Sequence, residues 1–206
     1  SAESGDYRRR LFAEDAARGF AFIDLCRKRC DAVVMNPPFG SFSKLWAVES
    51  RSAYPNSSND ILGAFVDRCL NRLHQQGRLG AITSRTCFFL TTFTDWRRQV
   101  VLKKSAVRVI ADLGQGVMDD AMVEAAAYVL ERTKPISSMT VFRAIADADR
   151  QLAVEDCLDA HNSGNTESRI FLANQNTFDL LPDSPFVYWI NDKTIIQFNN
   201  GTSFEP

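Results

Sequence analysis

Hydrophobic and polar residues follow one another along the chain in blocks whose spacing predicts both strands and helices. The apolar run Val33–Met35 contains no polar residue, which is the pattern of a strand buried on both faces. Between 60 and 75 the apolar residues recur at helical spacing, and Gly77 is a residue type that commonly ends a helix. The Ser-rich stretch 40–59 lacks periodicity and is predicted to be a loop. The same criteria predict, in chain order, a strand at 78–84, a helix at 93–104, strands at 106–114 and 138–145, and a helix at 147–160.

Strands that alternate with helices in this order are typical of a doubly wound α/β sheet. In such sheets, ligands bind at the carboxyl ends of the strands. The tetrad Asn36–Phe39, with the sequence NPPF, directly follows the first clear strand. It therefore lies where a binding site is expected.

The residue types of the tetrad suit a flat ring that bears an amino group. Pro37 lacks an N–H group and Asn36 precedes a proline, so the backbone here is extended, stiff and rich in free carbonyl acceptors. The Asn36 side-chain oxygen and the Pro37 carbonyl could accept both hydrogens of an exocyclic NH₂ group, which would direct the nitrogen lone pair toward an electrophile. Phe39 could stack on the ring of a flipped base. The alternative is a rigid strand-to-loop turn in which Phe39 is simply buried.

The tetrad resembles the catalytic motif of amino-group DNA methyltransferases, and the similarity extends beyond four residues. The stretches DAVVMNPPFG, GRLGAITSRTCFF, VRVIADLGQGVMDDAMVEAAAYVLE and SPFVYWI together resemble the large adenine-specific methyltransferases of BREX-type phage-defence systems and of type II restriction–modification systems. The similarity covers most of residues 8–190. It implies a partial class I, Rossmann-like methyltransferase, in which a doubly wound, mostly parallel sheet ends in an antiparallel β-hairpin.

The resemblance also implies a reaction for the full-length parent protein. A methyl group would pass from S-adenosyl-L-methionine to N6 of an adenine flipped out of double-stranded DNA, in the cytoplasm and without a metal. Asn36 and Pro37 would orient the amine, Pro38 would fix the rigid backbone that carries these two acceptors, and Phe39 would stack on the base. Other defence-system proteins would be candidate partners.

Two other functions are compatible with the sequence. The tetrad could serve methylation of a different planar amine or amide, such as a protein glutamine or an RNA base. Relatives of that kind often carry Tyr at the stacking position, where this chain has Phe39. The chain could instead be a non-catalytic DNA-binding half-domain of a defence complex, although the intact tetrad argues against this.

The sequence has no motif for the cofactor site that is as clear as the tetrad is for the target base. A class I methyltransferase needs a Gly-rich loop after its first strand and an acidic residue after its second, and in the resembled family both precede the tetrad. Only 35 residues precede Asn36 and none forms such a loop, so the chain resembles the second half of a catalytic domain. In a circularly permuted alternative, Gly114 and Gly116 would form the loop and Glu131 would be the acid. The composition of residues 121–131 leaves them ambiguous between helix and strand, whereas the resemblance implies that they are mainly a strand of the terminal hairpin.

The predicted loop after the tetrad carries residues that are able to contact DNA. Lys44, Trp46 and Arg51 lie close in sequence to the tetrad and could approach DNA beside a flipped base. A solvent-exposed loop without that role is the alternative.

We divide the chain into the C-terminal half of a catalytic domain, 1–145, and an extension, 146–206, that leads toward a DNA-recognition region. The extension contains three aromatic residues close together, Phe186, Tyr188 and Trp189. We predict that these three side chains pack in the core.

Composition adds limits rather than a function. The 206 residues are 45% hydrophobic and 24% charged, as in a globular domain. The net charge of −1 gives no support to DNA binding by this chain alone, since small nucleic-acid binders are usually basic. No apolar run reaches about 18 residues, the length needed to span a membrane, so no membrane partner is expected. The five cysteines have no zinc-site spacing, which predicts reduced thiols and no metal site.

Overall fold

The computed structural model describes residues 2–117, 123–134 and 136–201, without the side chains of 2–11, 22, 25 and 26. The helices are α1 (Ala2–Arg27), α2 (Ala47–Ala53), α3 (Ile61–Leu70), α4 (Leu102–Lys104), α5 (Arg150–Ser163), α6 (Gln175–Phe178) and α7 (Asp192–Asn199). The strands are β1 (Cys30–Met35), β2 (Leu73–Ser84), β3 (Ala106–Gly114), β4 (Ala125–Glu131), β5 (Ser138–Arg143) and β6 (Ile170–Asn174). Two 3₁₀ turns, Arg85–Phe88 and Thr91–Phe93, and a π-helical segment, Trp96–Val101, lead from β2 to α4. None of the described helices is long and apolar enough to cross a membrane.

The six strands form one mixed sheet in the order β1-β2-β4-β3-β5-β6. Strands β1 and β2 are parallel, as are β3 and β5, whereas β4 is antiparallel to both of its neighbours and β6 is antiparallel to β5. The predicted α/β class is thus confirmed, with four strands running one way and β4 and β6 opposing them. The terminal hairpin is confirmed as well, because the described part of 121–131 is strand β4 and pairs with β3. Residues 118–122 lie outside the described part of the chain.

The hydrophobic core lies on one face of this sheet, under α3 and the segments that lead to α4. Helix α3 begins after Asp60, whose carboxylate caps it by accepting from the Leu62 amide at 2.9 Å. Its apolar side buries Leu62, Val66 and Leu70 in the core. Each such side chain contributes about 1.5–3 kcal/mol through the apolar area it removes from water. The packing of α3 fixes β2, and thereby the position of β1 at the edge of the sheet.

The other face of the sheet is largely uncovered, and this corrects the prediction for β1. Val34 was expected to be buried, yet its side chain is 88% exposed. Strand β1 is an edge strand of the described sheet, and no described helix lies over Val34. An apolar run indicates that a strand is suited to burial on both faces, but it does not supply the neighbours that would bury it.

Two element boundaries differ from the sequence prediction. Helix α3 ends at Leu70, and Gly77 lies inside β2 instead of ending the helix. A glycine is required there because an added Cβ would lie 2.9 Å from the His74 carbonyl oxygen and 3.0 Å from that of Asp31. The predicted loop 40–59 contains the short helix α2. The predicted helix 93–104 is formed by the π-helical segment Trp96–Val101 and the three-residue helix α4. The other predicted strands and helices are confirmed to within a few residues.

The extension after residue 145 packs on the same sheet, because its strand β6 pairs with β5. Phe186 and Tyr188 are buried, as predicted, but Trp189 is 47% exposed and that part of the prediction is wrong. Trp189 packs on the ring of Tyr188 and on the half-buried Phe89, so only one side of it is covered. The assignment of the extension to DNA recognition stays a prediction.

Candidate functional site

The tetrad Asn36–Phe39 lies at the carboxyl end of β1, where the preceding residue, Met35, pairs with Ala81 of β2. Pro37 is buried, whereas Asn36 and Pro38 on either side of it are exposed. Within the described residues the Asn36 amide has no hydrogen-bond partner, so both of its polar atoms are free to meet a ligand. Phe39 is half-buried and packs against the core, which leaves part of its ring accessible.

The backbone directly after the tetrad is tied to the start of α3. The Gly40 amide lies 3.3 Å from each carboxylate oxygen of Asp60, and the Ile61 amide donates to the Gly40 carbonyl at 2.8 Å. Gly40 has a φ of +113°, a conformation that favours glycine. Partial burial raises the pKa of Asp60, while the Leu62 and Gly40 amides oppose that shift. Asn59 or Asp60 is expected from the sequence to cap this helix; the structure shows that Asp60 is the cap and that it also holds the backbone after the tetrad.

The three residues predicted to contact DNA are all exposed. Trp46 is 59% exposed and directly precedes α2, and Arg51 lies in α2, where its Nε donates to the Ala47 carbonyl at 3.0 Å. The described contacts bring none of Lys44, Trp46 and Arg51 into a hydrogen bond with the tetrad. Their role in DNA contact remains a prediction.

A charged cluster, which sequence analysis missed, joins the carboxyl end of β2 to β3, β4 and the extension. Arg85 binds Asp112 through two bonds, Nε–Oδ1 at 2.7 Å and Nη2–Oδ2 at 2.9 Å, and its Nη1 binds Glu124 at 2.7 Å. The Tyr188 hydroxyl donates to Asp112 at 2.7 Å, and burial together with this bond raises the pKa of Tyr188. The Arg85 guanidinium also lies 4.7 Å from the centre of the Phe89 ring. The cluster joins the carboxyl ends of β2 and β3 to the amino end of β4, at the edge of the sheet where the tetrad lies.

The structure separates the residues that the permuted alternative would bring together. Gly114 pairs with Ala125 at one end of the β3–β4 hairpin, whereas Glu131 pairs with Ala106 at the other end, about 20 Å away at the usual rise of a strand. The Glu131 carboxylate is occupied by Arg108, at 2.9 and 3.0 Å, and this pairing lowers the pKa of Glu131. Glu131 is therefore not placed to bind a ribose held by the Gly114 loop.

The geometry of Gly114 has its own explanation. Its φ is +69°, and an added Cβ would lie 2.5 Å from Cγ1 of Ile145. Close packing against Ile145 thus accounts for this glycine without a cofactor. Gly116 has a φ of +75° and open space around it, so only its backbone conformation favours glycine.

Solved structures with the same fold define the class of protein. A modification subunit of a type I restriction enzyme from Vibrio vulnificus YJ016 superposes with a TM-score of 0.62 at 13% identity, covering 73% of this chain and 35% of that one. A class I S-adenosylmethionine-dependent methyltransferase from Listeria monocytogenes gives 0.53 at 12% identity, with 66% and 43% covered. The DNA-bound type ISP restriction–modification enzyme LlaBIII gives 0.55 at 12% identity, with 76% and 12% covered. The fold is that of the class I methyltransferases, and the chain spans less than half the length of each of these proteins.

The family follows from the sequence itself. Residues 3–117 match the Eco57I restriction-modification methylase family, and the chain belongs to it. The matched segment runs from α1 to the end of β3 and includes the tetrad, Asp60 and Arg85. No curated protein sequence matches the chain. The predicted relationship to restriction–modification methyltransferases is thereby confirmed.

Proposed function

We propose that this chain forms the target-base side of an active site that methylates N6 of adenine in double-stranded DNA. The observation that carries the proposal is the position of the Asn36 amide, which is exposed, unpartnered within the described residues and located at the carboxyl end of β1 beside the half-buried Phe39. Membership of a restriction–modification methylase family supports DNA as the substrate class. The DNA in the LlaBIII structure, a neighbour of the same fold, is consistent with this.

The chemistry assigned to the tetrad is positioning rather than covalent catalysis. An adenine amino group has two hydrogens, and the Asn36 oxygen and the Pro37 carbonyl are two acceptors on a stiff backbone. Accepting both hydrogens makes the nitrogen more tetrahedral and directs its lone pair toward the methyl donor. Phe39 stacks on the extruded base and offsets part of the cost of flipping it. The Gly40–Asp60 contacts hold the backbone of the tetrad in place, so that little conformational freedom is lost when the base binds.

The proposal assigns the target base to this chain and leaves the cofactor site elsewhere. S-adenosylmethionine would supply an activated methyl group bound to a positively charged sulfur. The described residues do not fit it, because Gly114 is explained by Ile145 and Glu131 is paired with Arg108 at the far end of its hairpin. No residue of the β3–β4 hairpin is therefore proposed to bind the methyl donor.

The same site suggests partners for the complete protein. Two of the neighbours belong to restriction–modification systems, one a type I modification subunit and one a DNA-bound enzyme. Double-stranded DNA with one flipped adenine, and other subunits of a restriction or phage-defence system, are the partners that this proposal predicts. Lys44, Trp46 and Arg51 are the residues proposed to contact DNA beside the flipped base.

The test is to express the complete gene in a host without adenine methylation and to quantify methylated nucleosides in its DNA by mass spectrometry. We expect N6-methyladenine with the wild-type gene and a loss of about 100-fold or more with Asn36→Ala, the scale of losing a positioned acceptor in an active site. Phe39→Leu, which keeps bulk but removes the ring, should lose about 10-fold, since stacking contributes about 1–3 kcal/mol per base.

Matched controls separate these effects from damage to the fold. Asn165→Ala and Phe65→Leu change the same residue types at exposed positions away from β1 and should leave methylation unchanged. Full methylation by the Asn36→Ala protein would overturn the proposal. Methylated glutamine or RNA, without N6-methyladenine in DNA, would move the activity to another planar amine or amide.

A further inference from the structure

Trp189 is an accessible aromatic residue that its neighbours hold in one position. Its side chain is 47% exposed. The Tyr188 ring meets it edge-on, with 5.0 Å between the ring centres, and the Phe89 ring lies 5.8 Å away. The backbone before Trp189 is anchored as well, because the Phe186 amide donates to the Phe88 carbonyl at 3.0 Å. An indole fixed in this way loses little side-chain freedom when a flat ligand stacks on it.

The indole lies at the edge of the sheet that carries the tetrad. Arg85 directly follows β2, and its guanidinium lies 4.7 Å from the centre of the Phe89 ring, which contacts Trp189. Because β2 runs parallel to β1 and beside it, the carboxyl ends of both strands meet at this edge. The guanidinium, the phenyl ring and the indole form a series of flat groups in contact, and the accessible part of the indole is its free end.

An unpaired cation lies close to the residue that supports the indole. Arg143 ends β5, and register places it beside Asp112 of β3. Its side chain is exposed and forms no hydrogen bond or ion pair with any described residue, since the Asp112 carboxylate is bound by Arg85 and Tyr188. Burial and the bond to Asp112 raise the pKa of Tyr188, and the charge of Arg143 opposes that rise, so Arg143 lies near this hydroxyl.

Together, Trp189 and Arg143 present the two groups that suit an unpaired nucleotide. An aromatic face stacks on any base, and a guanidinium binds the phosphate beside it. An apolar protein segment fits less well, because covering this site would take the Arg143 charge out of water without a partner. Extrusion of an adenine from a duplex uncovers the faces of the bases around it, so bases of this kind occur beside the tetrad.

We propose that Trp189 stacks on a nucleobase next to the flipped adenine, and that Arg143 binds an adjacent phosphate. The base is either a neighbour of the adenine in its own strand or the base opposite it, since both present the same aromatic face. Phe39 is assigned to the adenine itself, so Trp189 is a positioning residue that holds the opened duplex. The inference rests on the proposed function for the identity of the ligand as DNA.

The experiment measures binding of the complete gene product to a short duplex with a central A·C mismatch, by fluorescence anisotropy. The mismatched adenine flips at low cost, so the test does not require methylation. Trp189→Leu should weaken binding about 10-fold, the scale of one stacked base, and Trp189→Phe should retain most of the affinity. The matched control Phe198→Leu, at a 57%-exposed position of α7, should leave binding unchanged.

Abasic duplexes then identify the contacted group. Removing one base at a time leaves the phosphates in place, so the difference between the wild type and Trp189→Leu should vanish for one abasic position only. That position is a neighbour of the adenine or the base opposite it. Arg143→Gln should weaken binding equally with and without that base, and should reduce the slope of log affinity against log salt by about 1.

Other outcomes overturn the inference. Unchanged affinity of Trp189→Leu would show that the indole does not contact DNA. A difference that vanishes only when the target adenine is removed would place Trp189 in the target-base pocket, and one that persists with every abasic duplex would exclude base stacking. Failure of the wild type to bind any of the duplexes would overturn this inference and the proposed function together. Methylation that continues while Trp189→Leu binds normally would overturn this inference alone.

Discussion

Arg85 and Asp112 are 27 residues apart in sequence, yet their side chains form a two-bonded ion pair with distances of 2.7 and 2.9 Å. Asp112 is only 2% exposed and accepts a third bond from the Tyr188 hydroxyl. The pair joins the carboxyl end of β2 to β3 and anchors the extension to both. It therefore acts on the geometry of the sheet edge that carries the proposed site.

Breaking this pair should be costly. Arg85→Met would leave Asp112 charged and buried with only the Tyr188 hydroxyl as a partner, and we expect a loss of about 3 kcal/mol or more in the free energy of unfolding. Arg85→Lys should lose almost as much, because an ammonium group cannot make the two-bonded contact. Urea unfolding gives the values. The control is Arg78→Met, whose exposed pair with Glu131 should contribute less than about 1 kcal/mol; equal losses in the two would contradict the prediction.

Arg97 should be a second point of high sensitivity. It is fully buried, and burial lowers the pKa of its guanidinium. Its charge is bound by backbone carbonyls of Ser184 at 3.0 Å, Cys87 at 2.7 Å, Leu90 at 2.8 Å and Asp183 at 2.7 Å. Arg97→Met would leave these acceptors unsatisfied and should cost about 3 kcal/mol or more in unfolding free energy. The exposed Arg68→Met serves as the control, and a similar small change in both would show that water replaces the guanidinium without penalty.

Gly114 allows a test of close packing by a double-mutant cycle. Gly114→Ala should cost more than about 1 kcal/mol, because it combines the left-handed backbone with a Cβ placed 2.5 Å from Ile145. Gly116→Ala, which meets only the backbone penalty, should cost about 1 kcal/mol. In an Ile145→Ala background the two glycine substitutions should become similar in cost. If Gly114→Ala stays equally damaging there, contact with Ile145 is not the reason for the glycine.

The stability of the protein should fall at alkaline pH because of a buried thiol. Burial raises the pKa of Cys87 to about 12, from 9.0 for an exposed thiol. Above pH 9.0 the unfolded chain loses this proton while the folded chain keeps it, so the free energy of unfolding falls toward pH 12. The contribution of Cys87 is about 1.4 kcal/mol per pH unit in this window. Urea unfolding at several pH values should therefore give a shallower slope for Cys87→Ala than for the wild type, and identical slopes would exclude this assignment.

The cofactor prediction is tested by calorimetric titration of the 206-residue chain with S-adenosylmethionine. We expect no detectable binding at millimolar concentration, because the described residues lack a fitting site. Micromolar binding that disappears with Gly114→Ala and Gly116→Ala would instead restore the permuted arrangement. Binding unaffected by either substitution would place a cofactor site elsewhere in the chain.

Local patterns predicted the parts of this fold that depend on local chemistry. The strand that ends at Met35 and the tetrad after it follow from an apolar run stopped by two prolines, and α5 was predicted at 147–160, within three residues of its bounds. The start of β2 was missed, because Gly77 is equally typical of a helix end and of a crowded strand. Only the positions of His74 and Asp31, unknown from the sequence, distinguish the two.

Contacts between distant residues account for what was not predicted. Arg85 and Asp112 are residue types usually found at the surface, and nothing in the spacing of Arg85, Asp112 and Tyr188 indicates that they meet. The exposure of Val34 is a failure of a different kind, since the strand has the composition of a buried one and lacks described neighbours. The composition of a strand indicates whether its faces are suited to burial. It does not indicate which element, if any, packs on them.

The contacts of Asp60 with Gly40 have an evolutionary consequence. Because Gly40 is bonded to the Ile61 amide and to the Asp60 carboxylate, residues 41–59 leave and return at nearly the same point. A segment closed at its base in this way can change in length or sequence without displacing Asn36 or α3. This stretch can therefore vary among related proteins while Asn36 and the proposed site for the target base stay in place.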